Sequence, residues 1–281
     1  IFTVWDTCHR DHIEFPEVRI NNEFEDREFR LNNALKKATA IIAESEYGKK
    51  NLLKRYNLES ERIKIIPLEP GPKIKSNISN QINSSKNLKK FNIINRFIFY
   101  PAQFWPHKNH KYIIDGLKIL SKKYGINISA VFSGSDKGNK KFIEKYIALN
   151  NLEKNIIFTD FISDEEITSL YLNCIALVMP SYFGPTNIPP YEAFKLGIPV
   201  LYPEKLGKQD NIDDAILPIK YEDPNSMAIQ IKKLLTNEEI SRDYIQRGYK
   251  KIKFLEKVNR TEILNNILID FKIKFLCAKE F

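Results

Sequence analysis

The stretch MPSYFGPTNIPPYEAFKLGIPV, residues 179–200, decides the fold of this chain. An apolar segment ends at Pro180, and a loop of Gly, Pro, Thr and Asn then leads into a predicted helix opened by two prolines. Proline at the first helical positions removes a backbone N–H that the helix does not use, and Gly197 supplies a left-handed stop. We expect Glu192 in the first turn of this helix, facing whatever occupies the loop.

Short apolar segments alternate with helical patterns on both sides of this stretch, from residue 96 onward. The predicted strands are Phe97–Pro101, Ser129–Gly134, Ile156–Phe161, Ala176–Pro180 and Pro199–Tyr202. The predicted helices between them are Asn109–Lys123, Asn139–Asn150, Asp164–Cys174 and Pro190–Leu196. Strands that alternate with helices are joined by right-handed crossovers and form a parallel sheet. The sequence therefore predicts an α/β fold with a doubly wound, Rossmann-like sheet.

A second, smaller α/β pattern precedes this alternation. Its predicted elements are the strands Phe2–Trp5, Ala40–Ala43 and Lys64–Pro67 and the helices Asp26–Lys37 and Ser45–Tyr56. A strand at residue 1 has no local partner, so we expect residues 1–75 to be the remnant of an N-terminal domain. A linker rich in Pro, Ser, Asn and Lys follows at 76–93, and the larger domain spans 94–240. We expect the helical tail, 241–281, to return toward the N-terminal domain.

Composition narrows the classes of function. Three widely spaced cysteines without a CxxC pair indicate reduced thiols and a cytosolic protein. No apolar run reaches the length needed to span a bilayer. The net charge of +9 favours a phosphate-bearing substrate or a membrane face as partner, although the Lys-, Asn- and Ile-rich composition is also typical of an AT-rich coding sequence.

Three loops follow predicted strands, where parallel sheets bind ligands. The loop PAQFWPHKNH, 101–110, places Lys108 near a helix N-terminus, whose backbone donors favour an anion such as a diphosphate. The loop FSGSDKG, 132–138, contains Gly134, which allows either close approach to a ligand or an ordinary tight turn. In the third loop, Glu192 is suited to accept hydrogen bonds from a ribose diol or simply to interact with the helix dipole.

Together these loops resemble the donor domain of the retaining glycosyltransferases of family 4, which have the GT-B fold of two Rossmann-like domains. The resembling segments are PAQFWPHKNH, FSGSD, FTDFISDEEITSLY and PSYFGPTNIPPYEAFKLGIPV, and their order agrees from about residue 40 to 240. The chain departs from the family at Gly184, where the first of two glutamates belongs, and at Gln103, where many members place an arginine. The FGPTN form resembles mannosyl- and rhamnosyltransferases of polysaccharide assembly.

The resemblance implies roles for particular residues. Lys108, helped by Gln103, holds the donor diphosphate, and Glu192 binds the ribose. Backbone groups of Pro185, Thr186 and Asn187 bind the sugar or the distal phosphate, and Gly134 also belongs to the donor site. In the N-terminal, acceptor-side domain, Trp5-Asp6 occupies the place of the family's His-Asp pair. The family histidine is therefore unassigned, and the candidate cleft residues are Asp6 and the nearby His9 and His12.

The implied reaction moves a sugar from a nucleoside diphosphate sugar to an acceptor hydroxyl with retention, needs no metal or other cofactor, and serves cell-surface glycan synthesis. The implied partners are the nucleotide-sugar donor and a sugar or lipid-linked glycan acceptor. The implied location is cytoplasmic, with peripheral contact at the inner face of the membrane as an addition. The mixture of Lys with Ile, Leu and Phe across Lys250–Lys274 favours a helix that packs across the two domains over one that touches lipid.

Two other classes of function stay open at this point. A sugar-nucleotide epimerase or hydrolase on the same fold would convert the donor without an acceptor. A non-catalytic module binding nucleic acid or lipid would place basic side chains and exposed aromatics along one face. The lysines instead scatter over the predicted helices, which disfavours nucleic acid as a partner.

Overall fold

The structure is a computed structural model that describes residues 1–71, 74 and 88–277. The chain divides into two compact units: unit 1 comprises Ile1–Glu69 and Lys253–Phe281, and unit 2 comprises Pro70–Ile252. Most of the predicted linker, 76–93, lies outside the described residues. The domain boundaries drawn from the sequence stay a prediction.

Unit 1 is built around a three-stranded parallel sheet of order β1-β2-β3. The strands are β1 Phe2–Val4, β2 Ile41–Ala43 and β3 Ile63–Ile65, and the helices between them are α1 Pro16–Arg19, α2 Glu23–Lys37 and α3 Glu46–Arg55. The core consists of buried apolar side chains, of which Leu35, Ile41, Leu52 and Ile63 are at most 1% exposed. Ser45 caps α3 as predicted, since its Oγ accepts from Gly48 N at 3.1 Å.

Unit 2 contains a six-stranded sheet in which every described pairing is parallel. Its strands are β4 Phe97–Pro101, β5 Ser129–Ser133, β6 Ile156–Asp160, β7 Leu177–Val178, β8 Val200–Pro203 and β9 Leu217–Ile219. Its helices are α4 His110–Tyr124, α5 Lys140–Leu149, α6 Asp164–Asn173, α7 Ile188–Leu196, α8 Glu204–Gln209 and α9 Pro224–Thr236. All five strands predicted in this unit are confirmed, whereas β9, α8 and α9 were not predicted.

The strand order is β6-β5-β4-β7-β8-β9. From β4 to β6 successive strands are added on one side of the sheet and from β7 to β9 on the other, so the order reverses between β4 and β7 although all strands stay parallel. The central strands are buried on both faces, because helices cover a doubly wound sheet on each side. Phe99 of β4 and Leu177 of β7 pair in register and are both fully buried. Crevices form at such a reversal, beyond the carboxyl ends of the two strands, and this is where open α/β sheets bind ligands.

Two further helices complete the chain, α10 Glu238–Glu256 and α11 Arg260–Cys277. Helix α10 begins after Asn237, whose Oδ1 accepts from Glu239 N at 2.9 Å. In unit 1, Arg260 at the start of α11 donates through Nε to the Pro67 carbonyl at 2.8 Å. Among the described residues, no helix is both long and apolar enough to span a bilayer.

Candidate functional site

Two of the three loops singled out by the sequence leave β4 and β7, the strands on either side of the reversal. The first loop, 102–109, ends in a 3₁₀ turn at Pro106–Lys108, and α4 starts at His110. The third loop, 179–187, ends at Asn187, the N-cap of α7. The Tyr182 amide donates to the His107 carbonyl at 2.9 Å, so the two loops contact each other directly.

Lys108 lies at this contact, near the start of α4 as the sequence predicts. Its Nζ donates to Oδ1 of Asn187 at 3.3 Å. Its carbonyl accepts from the hydroxyl of Tyr100, a fully buried residue of β4, at 2.8 Å. The lysine backbone is therefore anchored to the sheet, while its ammonium lies beside the N-terminus of α7.

Asn187 is the centre of a buried hydrogen-bond network. Its Nδ2 donates to the Gly184 carbonyl and to the Tyr202 hydroxyl, each at 2.7 Å. The Tyr202 hydroxyl in turn donates to Oδ2 of Asp210 at 3.0 Å. The other oxygen of Asp210 accepts from the Thr186 amide at 3.0 Å. Burial raises the pKa of Asp210 to about 6 and raises the pKa of Tyr202 as well.

This network bears on the predicted role of Thr186. The resemblance implies that a backbone group of Thr186 binds the sugar or the distal phosphate, and in this structure the Thr186 N–H is bonded to Asp210. Thr186 has a φ of +48°, a left-handed conformation that is uncommon for a residue with a branched side chain. Pro185 has no N–H to offer, so the groups it can present to a ligand are its carbonyl and ring.

Gln103 lies in the first loop and Gly134 in the second, and the backbones of the two loops approach each other at Gly134. The exposed Gln103 accepts through Oε1 from the Trp105 indole at 3.0 Å. A Cβ on Gly134 would lie 2.4 Å from the Ala102 carbonyl oxygen. No side chain fits between the backbones of the two loops at Gly134, and its approach to a ligand stays a prediction.

Glu192 is half-buried on α7. The helix starts at Ile188, two residues earlier than predicted, so Glu192 is its fifth residue and the expectation of a first-turn position was wrong. Tyr171 of α6 donates its hydroxyl to Oε2 of Glu192 at 2.9 Å. Burial raises the pKa of Glu192, and hydrogen bonds from Tyr171 and the Gly71 backbone partly oppose that rise.

The structure therefore links Lys108 directly to the N-cap of the helix that carries Glu192. Sequence reasoning missed Tyr171, Tyr202 and Asp210. Tyr202 was open to discovery, since it ends a strand at the ligand-binding edge of the sheet. Asp210 lies 24 residues from its partner Thr186 with no periodic pattern between them, so nothing local indicated it.

The candidates in unit 1 have partners of their own. His9 is fully buried, and its Nε2 lies 2.7 Å from Oε1 of Glu28. Burial is the main cause of its lowered pKa. Asp6 accepts from the Cys8 amide at 2.8 Å and from Arg27 at 2.7 Å. The role of His9 in a cleft stays a prediction.

His12 lies closer to the surface of unit 1, with Nδ1 3.4 Å from Oε1 of Glu14. Near Asp6, a cavity of about 300 Å³ opens beside the exposed Trp5 and Arg30. Within the described ranges, no group of three or more His, Cys, Asp or Glu residues is arranged to hold a metal ion.

Known proteins of similar sequence cover most of this chain. The sequence profile of the family described as Glycosyl transferases group 1 matches residues 83–251, more than half of the chain. The O-antigen chain mannosyltransferase RfbU of Salmonella typhimurium is 26% identical over 244 residues. That alignment covers 87% of this chain and 63% of RfbU, so the chain spans less than two thirds of that relative.

Two solved structures share the fold. Anabaena Alr3699/HepE in complex with UDP-glucose superimposes with a TM-score of 0.75 at 17% identity, covering 96% of this chain and 71% of that one. The sucrose-phosphate synthase of Thermosynechococcus elongatus gives a TM-score of 0.76 at 17% identity, covering 98% and 67%. These likenesses confirm the predicted α/β fold with Rossmann-like parallel sheets.

Proposed function

Because this chain belongs to the glycosyl transferases group 1 family, we propose that the protein transfers a hexose from a nucleoside diphosphate sugar to an acceptor hydroxyl with retention of anomeric configuration. One observation carries the proposal: the Lys108 ammonium lies 3.3 Å from Asn187 Oδ1, at the reversal point of the sheet. A cation, a helix N-terminus and a crevice-forming strand reversal together suit a diphosphate.

Lys108 would stabilise the leaving group. Transfer breaks the bond between the anomeric carbon and the diphosphate oxygen, and negative charge develops on that oxygen. A preorganised ammonium in a partly buried site stabilises such charge far better than water does. The acceptor oxygen bonds to the anomeric carbon on the same face, and its proton passes to the leaving diphosphate. Lys108 and the start of α7 supply this stabilisation without a resident metal, which we propose as the mode of catalysis.

Glu192 would bind the ribose of the donor. A carboxylate accepts hydrogen bonds from a vicinal diol, and Oε2 is held in place by the Tyr171 hydroxyl. Gln103 would contact the diphosphate from the first loop, and the Pro185–Asn187 segment would contact the sugar. Since the Thr186 amide donates to Asp210, we assign the sugar contacts of this segment to the Asn187 backbone and to carbonyl groups.

The donor and acceptor classes follow from the relatives. RfbU is named an O-antigen chain mannosyltransferase, and the HepE structure holds UDP-glucose. We therefore propose a hexose donor carried on a nucleoside diphosphate, with UDP as the first candidate, and a sugar or lipid-linked glycan of a cell-surface polysaccharide as the acceptor. Family membership speaks against a nucleic-acid-binding module, and no relative described above supports an epimerase or hydrolase.

Peripheral contact with an anionic membrane completes the proposal. Helix α11 leaves Ile269, Ile273 and Phe275 more than half exposed, and Lys272 and Lys274 lie among them at the surface. Exposed apolar side chains insert at the headgroup boundary, and lysines beside them are attracted to anionic lipid. The charge of +9 adds long-range attraction to such a surface.

The decisive experiment measures nucleotide-sugar binding by thermal shift with UDP-, GDP- and dTDP-hexoses. A ligand that binds the native state raises the melting temperature by mass action. We expect Lys108→Ala to weaken binding by at least about tenfold, because a hydrogen-bonded ion pair to phosphate is lost. The matched control is Lys154→Ala at an exposed position, which should bind as the wild type does.

Transfer assays extend the same test. Activity toward a glycan acceptor should persist in a metal chelator, and it should require the acceptor. Unchanged binding and transfer in both Lys108→Ala and Glu192→Gln would contradict the assignment. Consumption of the donor at full rate without an acceptor would favour the hydrolase instead.

A further inference from the structure

A relay of hydrogen bonds connects Lys108 to a carboxylate that none of the proposed donor contacts uses. It runs from Lys108 through the Asn187 side chain and the Tyr202 hydroxyl to Asp210. Tyr202 is fully buried and Asn187 is 9% exposed, so most of the relay is shielded from water. The Tyr191 hydroxyl also reaches the Asp210 backbone carbonyl, at 3.4 Å.

The direction of each bond in this relay is fixed by its ends. Ionised Asp210 can only accept, so the Tyr202 hydroxyl must donate to it and keeps a lone pair for Asn187. The Gly184 carbonyl can also only accept. The hydrogen bonds from Asn187 to Gly184 and to Tyr202 therefore both come from Nδ2. Oδ1 of Asn187 is consequently the atom that faces the Lys108 ammonium. Asp210 and the Gly184 carbonyl together hold Asn187 in this orientation, and Asp210 does so through the Tyr202 hydroxyl.

We propose that Asp210 is a positioning residue for the donor diphosphate, acting through Tyr202 and Asn187 on the ammonium of Lys108. This inference rests on the proposed function of Lys108. The same carboxylate also accepts from the Thr186 amide, so it fixes the backbone and the side chain of the third loop at once. A single residue thereby sets both the shape of that loop and the place of the cation.

A role in positioning differs from a role in stability. Burial raises the pKa of Asp210, which means that folding works against its ionised form. Replacing Asp210 by Asn removes the buried negative charge that folding works against, and it keeps one acceptor oxygen. It also places an N–H₂ group against either the Tyr202 hydroxyl or the Thr186 amide. Stability should therefore hold or rise in Asp210→Asn, whereas the order of the relay should be lost.

The test measures the affinity of UDP and GDP by calorimetry at pH 8. Asp210→Asn should bind the preferred nucleotide about tenfold more weakly, with an equal or higher melting temperature. Tyr202→Phe keeps the carboxylate but breaks the relay, and it should lose affinity by a similar factor. Asp213→Asn, an exposed carboxylate three residues away with the same charge change, is the matched control and should bind normally.

A double-mutant cycle with Asn187→Ala isolates the relay. Once Asn187 is removed, Asp210→Asn should have little further effect on affinity, because the link to Lys108 is already broken. An Asp210→Asn variant that binds as tightly as wild type would overturn the inference while leaving the proposed function intact. An undiminished effect in the Asn187→Ala background would overturn it too. A wild type that binds no nucleoside diphosphate would contradict the proposed function, and the inference with it.

Discussion

At the scale of single residues, the backbone and the space around Gly184 explain why this position does not hold the glutamate that the family places there. Its φ is +119°, where side chains are strained, and a Cβ there would lie 3.0 Å from Oδ1 of Asn187. The Asn187 amide already fills the adjacent space and bonds to the Gly184 carbonyl. A glutamate at this position would have to displace the partner of Lys108.

The alanine variant of Gly184 tests this account. We expect Gly184→Ala to lower the free energy of unfolding by about 1–3 kcal/mol and to weaken nucleotide binding, because both the backbone and Asn187 must shift. Urea unfolding and calorimetric titration give the two values. Gly138→Ala is the control, since its φ of +95° is also strained but its Cβ would meet open space. Equal effects of the two variants on binding would contradict the account.

At the scale of elements, contact between loops holds the site together. The Phe104 amide donates to the Ser135 carbonyl at 3.0 Å, and Gly134 packs against the backbone of Ala102. The second loop therefore supports the first, and the first carries Lys108.

Enlarging Gly134 should loosen that support. In Gly134→Ala the new methyl group would meet backbone at 2.4–2.8 Å, so we expect a loss of about 1–3 kcal/mol in unfolding free energy and weaker nucleotide binding. Gly125→Ala, at the C-cap of α4, has φ +65° and open space around the new methyl. It should lose only about 1 kcal/mol and keep its affinity. Normal nucleotide affinity in Gly134→Ala would show that the second loop does not position Lys108.

The elements that the sequence predicted and those that it missed differ in a physical way. The central strands were predictable because burial on both faces leaves nearly continuous apolar runs. The edge strand β9 was not, since it is three residues long and contains Pro218, which edge strands tolerate but which weakens a strand pattern. For the site, Lys108 and Glu192 follow recognisable loops, whereas Asp210 acts only through contacts made by folding.

At the scale of the whole molecule, the two units should respond differently to acid. In unit 1, burial lowers the pKa of His9, and Arg10 lowers the pKa of Glu28 to about 2. Both groups give stability that is present above their unfolded pKa and lost as the pH falls. In unit 2, burial lowers the pKa of His110 to about 3, so that unit also loses stability as the pH falls. The pKa of Asp210 in the same unit is raised to about 6, so the stability that Asp210 contributes grows as the pH falls from 6 toward 4.

We therefore expect the gain from Asp210 to offset the loss from His110 when unit 2 is acidified from pH 7 to pH 4. Asp210 alone should favour unit 2 by about 3 kcal/mol over this range, from a pKa shift of about 2 units. Hydrogen exchange of peptides from each unit, corrected for the intrinsic rate at each pH, measures the difference. Asp210→Asn should abolish the gain of unit 2. An Asp210→Asn variant in which the opening of unit 2 keeps the wild-type pH dependence would contradict this prediction.

Membrane contact is also a property of the whole chain, since it combines α11 with the overall charge. We expect flotation with vesicles that contain anionic phospholipid and little with neutral ones. The double variant Ile273→Ser with Phe275→Ser should reduce flotation several-fold, because apolar insertion is lost while the charge is kept. Leu149→Ser, at another exposed apolar position, is the control. Equal flotation of all three proteins would rule α11 out as the contact.

The indole of Trp105 gives the first loop an optical signal. The chain has two tryptophans, and Trp105 stands three residues before Lys108 with its ring nitrogen bonded to Gln103. Fluorescence of a Trp5→Phe protein would then report on that loop without any attached dye. A nucleotide that engages Gln103 must disturb this bond, so the emission maximum or intensity should change during a titration and give binding rates by stopped flow.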